Sequence, residues 1–212
     1  MKKDIGSIIG KLKNMYGQPR CELNFSNALE LVVATVLSAQ CTDERVNKVT
    51  KQLFKKYRTL QDYIDAAAEE LEEDIRPTGF YRNKAKSIKG IAGELVQRFK
   101  GQVPDDIDTF ATVKGIGRKS ANMIVGLAYN KPAVIVDTHM IRVANRIGLT
   151  KTDDPEKIEL DIKRTVPEPM WTALSLLVIL HGRYTCKART PECPKCLVQN
   201  DCDYWSGGKR NV

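Results

Sequence analysis

Lys119 closes the run GIGRK within "VKGIGRKSAN", residues 113–122. A lysine amine, once neutral, is a nucleophile that forms Schiff bases with carbonyl-type carbon. The residues before it suggest where such an amine would work. Gly115 and Gly117 stand one residue apart, and Arg118 and Lys119 follow at once. A glycine turn running into a cationic helix start holds a phosphate on its backbone N–H groups. The nucleotide-binding loop is excluded, because it needs Lys directly after its last Gly and then Ser or Thr, and here Arg118 intervenes. Upstream, "DDIDTFATV" reads as a helix. The unit is therefore helix, tight glycine hairpin, helix, suited to gripping a nucleic-acid phosphate without reading sequence. Glycines also serve a plain helix–helix turn, and the hairpin alone does not choose between the two.

Downstream, "VDTHMIRVANR" offers Asp137 and His139. Taken alone, Asp137 is a helix N-cap. His139 is one of two histidines in the chain and is a minor candidate. Cys186, Cys193, Cys196 and Cys202 crowd the C-terminal end with six, two and five residues between them. In a cytosolic chain four such thiols point to a metal site and away from a disulfide frame. Zinc and an iron–sulfur cluster both fit. Only the middle pair is close, and the wide outer spacings favour the larger cluster. Cys21 and Cys41 stand apart and read as buried apolar fillers.

These groups need elements to position them, and the apolar spacing is helical nearly throughout. "ALELVVATVLSA" is apolar all round and reads as a buried helix. "DERVNKVTKQLFKKY" sets Val46, Val49, Leu53 and Phe54 on one face with lysines opposite. "DAAAEELEEDI", "NKAKSIKGIAGELVQRF", "KSANMIVGLAY", "HMIRVANRI", "PEKIELDIKRTV" and "PMWTALSLLVILHG" read as further helices. "AVIV" at 133–136 is a short strand or an extended linker. Pro and Gly mark the joints. "GFYRNKA" at 79–85 faintly echoes "GIGRKSA" at 115–121, each at the head of a helix. The final "SGGKRNV" reads as a frayed tail.

With 212 residues the chain allows one large domain or two small ones. Its 34 Lys and Arg against 26 Asp and Glu leave a net charge of +8, which favours polyanions, nucleic acid before membrane. The basic start lacks the unbroken apolar stretch of a signal peptide. The longest apolar run, "ALSLLVIL" at 173–180, is too short to span a bilayer. A cytoplasmic location is expected.

Taken together, the motifs resemble the endonuclease III family of helix-hairpin-helix DNA glycosylases, over nearly the full chain. "LSAQCTDERVNK" at 37–48 is similar to the family segment whose Gln enters the duplex. "GIGRKSAN" resembles its hairpin with the reactive lysine, and "VDTHMIRVANR" its catalytic-aspartate segment. "ILHGRYTCKARTPECPKCLVQNDC" resembles its cysteine pattern. The resemblance implies an all-α fold of two helical domains flanking a DNA-binding cleft. Residues 22–132 would form a helical barrel with the hairpin, and residues 1–21 plus 133–212 a second domain with an iron–sulfur loop. It implies a bifunctional DNA glycosylase/AP lyase of base excision repair that removes oxidised pyrimidines and cuts 3′ to the abasic site. Lys119 and Asp137 would be catalytic and lie at the cleft. Gln40, Phe80, Lys114, Gly115, Gly117, Arg118, His139, Lys187 and Arg189 would meet DNA. The four C-terminal cysteines would hold a [4Fe–4S] cluster. The partner would be duplex DNA with oxidised pyrimidines or abasic sites, the chain a monomer, and its place the nucleoid of a prokaryotic cell.

The sequence departs from the family pattern at three places. Lys114 replaces the usual Pro and adds a cation beside the phosphate site. Phe80 stands where Leu is common, at the position that fills the gap opposite the damaged base, so stacking could replace wedging. Asn27-Ala28 replace a Pro-Phe pair. Two other readings compete: a monofunctional mismatch glycosylase, whose relatives lack the lysine at position 119, and a non-catalytic DNA-binding or redox module. Lys119 weighs against the first, and Lys119 with Asp137 against the second.

Overall fold

The computed structural model describes residues 3–207. All regular structure among them is helical, as the periodicity predicts. The chain divides into two compact units, Cys21–Asn130 and Met1–Arg20 with Lys131–Val212. Its first helix, α1 (Ile5–Tyr16), belongs to the second of these.

The unit Cys21–Asn130 comprises α2 (Ala28–Leu37), α3 (Asp43–Lys56), α4 (Leu60–Asp65), α5 (Ala68–Ile75), α6 (Tyr81–Phe99), α7 (Ile107–Ala111) and α8 (Arg118–Ala128). Side chains that accept backbone N–H bonds start several of them. Asn27 caps α2, Thr42 caps α3, Thr59 and Asp62 form a capping box on α4, and Asp106 caps α7. The role of Asn27 is therefore structural. The core is a single apolar cluster that includes Leu31, Leu37, Leu71, Leu95, Phe110 and Ile124. Each such buried side chain stabilises by about 1.5–3 kcal/mol. Cys21 and Cys41 pack against this cluster but are only half-buried, a correction to their reading as buried fillers.

"DAAAEELEEDI" is helical from Ala68 to Ile75, as α5, and starts later than expected. α4 stops at Asp65, and Ala66 and Ala67 turn out of helical geometry. Lys89 Nζ, from α6, donates to Ile64 O at 2.7 Å and Ala66 O at 2.5 Å, and so satisfies carbonyls left open by the break. Helix propensity alone cannot show this tertiary cap.

The second unit packs α1 with α9 (Thr138–Ile147), α10 (Pro155–Thr165), α11 (Trp171–Tyr184) and the short α12 (Asp203–Ser206). Ile8, Leu12, Met140, Val143, Ile158, Ile162, Leu174 and Leu177 form its core. "AVIV" is an extended linker, and no strand occurs among the described residues. Two of its N–H groups bond to side chains instead of a partner strand. Ala133 N donates to Thr172 Oγ1 and Ile135 N to Ser175 Oγ, both at 3.0 Å. The two chain ends of the unit are tied by Lys3 to Asp203 at 2.5 Å and Lys11 to Asp201 at 2.6 Å. Within the expected tail, Ser206 ends α12 and Gly207 follows it, while residues 208–212 lie outside the described residues.

Candidate functional site

The hairpin between α7 and α8 is built on two buried side chains, Val113 and Ile116. Ile116 N donates to Val113 O at 2.9 Å and closes the turn. Gly115 sits at φ +95°, a left-handed conformation that side chains rarely adopt, which explains the glycine. Gly117 precedes α8 with no side-chain cap. Uncapped helix starts present backbone N–H groups to an anion. Lys114, Gly115, Gly117 and Lys119 are exposed around this start. Arg118 is half-buried, and its guanidinium reaches Asp108 at 2.7 Å.

A brace from α6 holds the hairpin from outside the motif. Glu94 accepts from Lys114 N at 2.8 Å and pairs with Arg98. Arg98 in turn donates to Thr112 Oγ1 at 2.9 Å and Thr112 O at 3.2 Å. The Lys114 N–H bond, followed by Arg98, holds the Glu94 carboxyl below the usual carboxylate range. This N–H exists because the residue is Lys; a proline there would have none.

In the same unit, Gln40, Phe80, Gly115, Ile116 and Ser120 line one depression of about 860 Å3 including its open mouth. Gln40 (φ +53°) and Phe80 (φ +49°) are both left-handed, although neither is glycine. Such geometry costs on the order of 1–3 kcal/mol per residue and persists only where the surroundings impose it. Phe80 leaves 64 % of its surface exposed, more than any other large apolar side chain described as exposed. The structure therefore gathers Gln40, Phe80 and the hairpin glycine around one opening.

Asp137 and His139 belong to the second unit. Asp137 is the N-cap of α9, its Oδ1 accepting from Met140 N at 2.7 Å, so the bland reading of this residue is correct as far as it goes. His139 is half-buried against α11. A Cβ at Gly182 would lie 2.7 Å from His139 Cβ, so the glycine permits this close approach. Burial lowers the His139 pKa, aided by Arg142 and Arg183 and opposed by Asp137. Arg142 Nη2 lies 3.2 Å from His139 Nδ1 and donates to Gly182 O at 2.9 Å.

All four C-terminal cysteines line one pocket in that unit, about 360 Å3 of empty space with its open mouth included, together with Arg146, His181 and Tyr204. None is in a disulfide. No group of three or more His, Cys, Asp or Glu among the described residues is gathered tightly enough for a single metal ion. The thiols stand around a space instead. Burial, then mutual repulsion, raises Cys196 to about 11, and burial raises Cys193 and Cys202. Neighbouring groups suit bound thiolates: Arg146 Nη1 donates to Cys186 Sγ at 3.3 Å, and His181 Nε2 lies 3.5 Å from Cys196 Sγ. Burial holds His181 neutral, with a pKa of about 4. Its Nδ1 meets Tyr16 Oη at 2.8 Å. A thiolate at Cys196 would accept from Nε2–H, and Tyr16 Oη also donates to Thr185 Oγ1 at 2.6 Å. Four thiols lining one pocket, with Arg146 and His181 beside them, are a donor set that fits a cluster. Lys187 and Arg189 are exposed on the adjoining loop, and Lys187 pairs with Glu192 at 2.7 Å.

Sequence reasoning passed over Glu94, Arg98, Lys84, Arg146 and His181. The echo "GFYRNKA" was the one signal for Lys84; both echoing stretches do open helices, α6 and α8.

The profile of the HhH-GPD superfamily base excision DNA repair proteins matches residues 33–168. Endonuclease III of Bacillus subtilis is 42 % identical over 201 residues, 94 % of this chain and 92 % of that protein. Endonuclease III of Synechocystis sp. is 44 % identical over 202 residues, 95 % of this chain and 92 % of that protein. Among solved structures, a trapped endonuclease III–DNA covalent intermediate superposes with a TM-score of 0.88 and 42 % identity, over 96 % of each chain. The chain belongs to the HhH-GPD superfamily of base excision DNA repair proteins and, within it, to the endonuclease III family.

Proposed function

We propose that this chain is a bifunctional DNA glycosylase/AP lyase that removes oxidised pyrimidines from duplex DNA, with Lys119 as nucleophile. The carrying observation is the hairpin, which presents an exposed lysine at the uncapped head of α8, beside an opening lined by Gln40 and Phe80. That a relative with 42 % identity forms a trapped covalent intermediate with DNA supports a covalent route.

The steps follow from the chemistry. A base inside a duplex is out of reach, so the nucleotide is flipped out while Gln40 and Phe80 occupy the gap. Backbone N–H groups at Gly115 and Gly117 hold a phosphate, with Lys114 and Arg118 adding charge. The neutral Lys119 amine attacks C1′; the C1′–N bond breaks and its electron pair leaves with the base, which takes up a proton. The sugar ring opens to an iminium. Loss of a C2′ proton then breaks the C3′–O bond, releasing the 3′ phosphate, and water later frees Lys119. Asp137 offsets positive charge on the sugar as the base departs. Lys187, Arg189 and His139 line the DNA path. Cys186, Cys193, Cys196 and Cys202 would hold a [4Fe–4S] cluster, which supplies thiolate–iron cross-links to the C-terminal loop. The protein acts as a cytoplasmic monomer.

Strand cleavage of abasic duplex, measured beside release of free base from an oxidised-pyrimidine duplex, tests the reading. Both activities are expected. Base release without cleavage would give the monofunctional glycosylase, and neither activity would give a binding module.

A further inference from the structure

The two left-handed residues at the opening, Gln40 and Phe80, lie on separate loops, and one buried side chain bonds to the backbone shortly before each. Lys84 is only 5 % exposed. Its Nζ donates to Leu37 O at 2.9 Å and to Thr78 O at 2.8 Å. Leu37 ends α2, three residues before Gln40. In a continued helix its carbonyl would accept from residue 41, but Cys41 N turns to Ser38 O at 3.1 Å. Thr78 stands two residues before Phe80. On the other side of Phe80, Lys84 N donates to Phe80 O at 3.1 Å. The Lys84 side chain thus ties the segment just before Phe80 to the end of the helix that leads into the Gln40 loop, while its backbone N–H makes the first-turn bond of α6 to Phe80 O.

We propose that Lys84 is a positioning residue that locks the Gln40 and Phe80 loops into one rigid pair and thereby sets recognition of damaged over intact duplex. An ammonium bonded to two buried carbonyls is costly to leave unpaired, which makes the link stiff. Burial lowers the Lys84 pKa, opposed by Cys41. Strained backbone at two aligned positions needs such external constraint, since neither residue favours it alone. The proposal rests on the reading of Gln40 and Phe80 as the residues that enter the duplex.

The test compares binding to an undamaged duplex and to one with a tetrahydrofuran abasic analogue opposite 2-aminopurine. Lys84→Met keeps the length of the side chain and removes its donors. It is expected to cut the ratio of abasic to undamaged affinity by about tenfold and to suppress the 2-aminopurine fluorescence change. Affinity for undamaged duplex should persist, because the hairpin is untouched. Lys84→Arg, which restores charge and donors, should regain part of the ratio. Gln40→Ala and Phe80→Ala serve as references. If they lower the ratio and Lys84→Met does not, the positioning role is overturned. An equal loss of affinity for both duplexes would also overturn it, marking Lys84 as merely structural. If the two reference variants keep the wild-type ratio, the reading beneath the proposal fails instead. Should Lys84→Met not fold, Lys84→Gln takes its place. Its amide nitrogen sits one bond short of the Lys84 Nζ position, so it cannot keep both bonds to Leu37 O and Thr78 O. The ratio is then expected to fall by less than expected for Lys84→Met, and an unchanged ratio overturns the proposal.

Discussion

The carboxylate of Asp137 caps α9 through Met140 N, and the cap can be separated from the proposed chemistry by the choice of substitution. Asn caps helices as well as Asp does, so Asp137→Asn should leave the melting temperature nearly unchanged. It should sharply reduce release of an intact damaged base while abasic trapping survives in part, because that substrate has already lost its base. Asp137→Ala removes both features and should add a stability loss of about 1 kcal/mol, read from denaturant midpoints. Equal stability of the two variants would contradict the cap. At Lys114 the question is phosphate contact. Lys114→Ala should lower duplex affinity and flatten its salt dependence by roughly one unit of slope. An unchanged slope would make Lys114 a surface lysine whose contribution is its backbone bond to Glu94.

Among the elements, the hairpin carries the sharpest prediction. Gly115→Ala places a Cβ at φ +95°, with Ile91 in ordinary contact at 3.5 Å, so the cost is backbone strain and not a clash. A loss of about 1–2 kcal/mol is expected, with weaker binding to undamaged duplex. Wild-type stability would mean the turn does not need a left-handed residue. In the second unit, Ser175→Ala should cost about 1–3 kcal/mol by stranding the buried Ile135 N–H. The hairpin was legible because its glycines and its cations are contiguous. Most helices were legible because one face repeats at helical spacing and a Ser, Thr, Asn or Asp often precedes it. The break at Ala66, the side-chain-bonded linker at 133–136 and the Lys84 tie were not. Each depends on a residue distant in sequence, Lys89, Ser175 or Leu37, and local pattern does not encode such partners.

For the whole molecule, charge and cysteines set the remaining expectations. A net charge of +8 predicts duplex binding that weakens steeply with salt. No described helix is long and apolar enough to cross a membrane. The cysteine cavity predicts a yellow-brown protein with about four irons per chain. Cys21→Ser and Cys41→Ser should leave iron content unchanged, since both pack on the other unit's core. One zinc per chain without iron would contradict the cluster. The central claim is that Lys119 becomes covalently joined to the sugar. Borohydride added during reaction with an abasic duplex should reduce the imine to a stable amine and give a slowly migrating protein–DNA band, with the modified peptide mapping to Lys119. Lys119→Gln should abolish the band and strand cleavage while retaining duplex binding. A band that persists in Lys119→Gln, or that maps to another amine, would contradict the account.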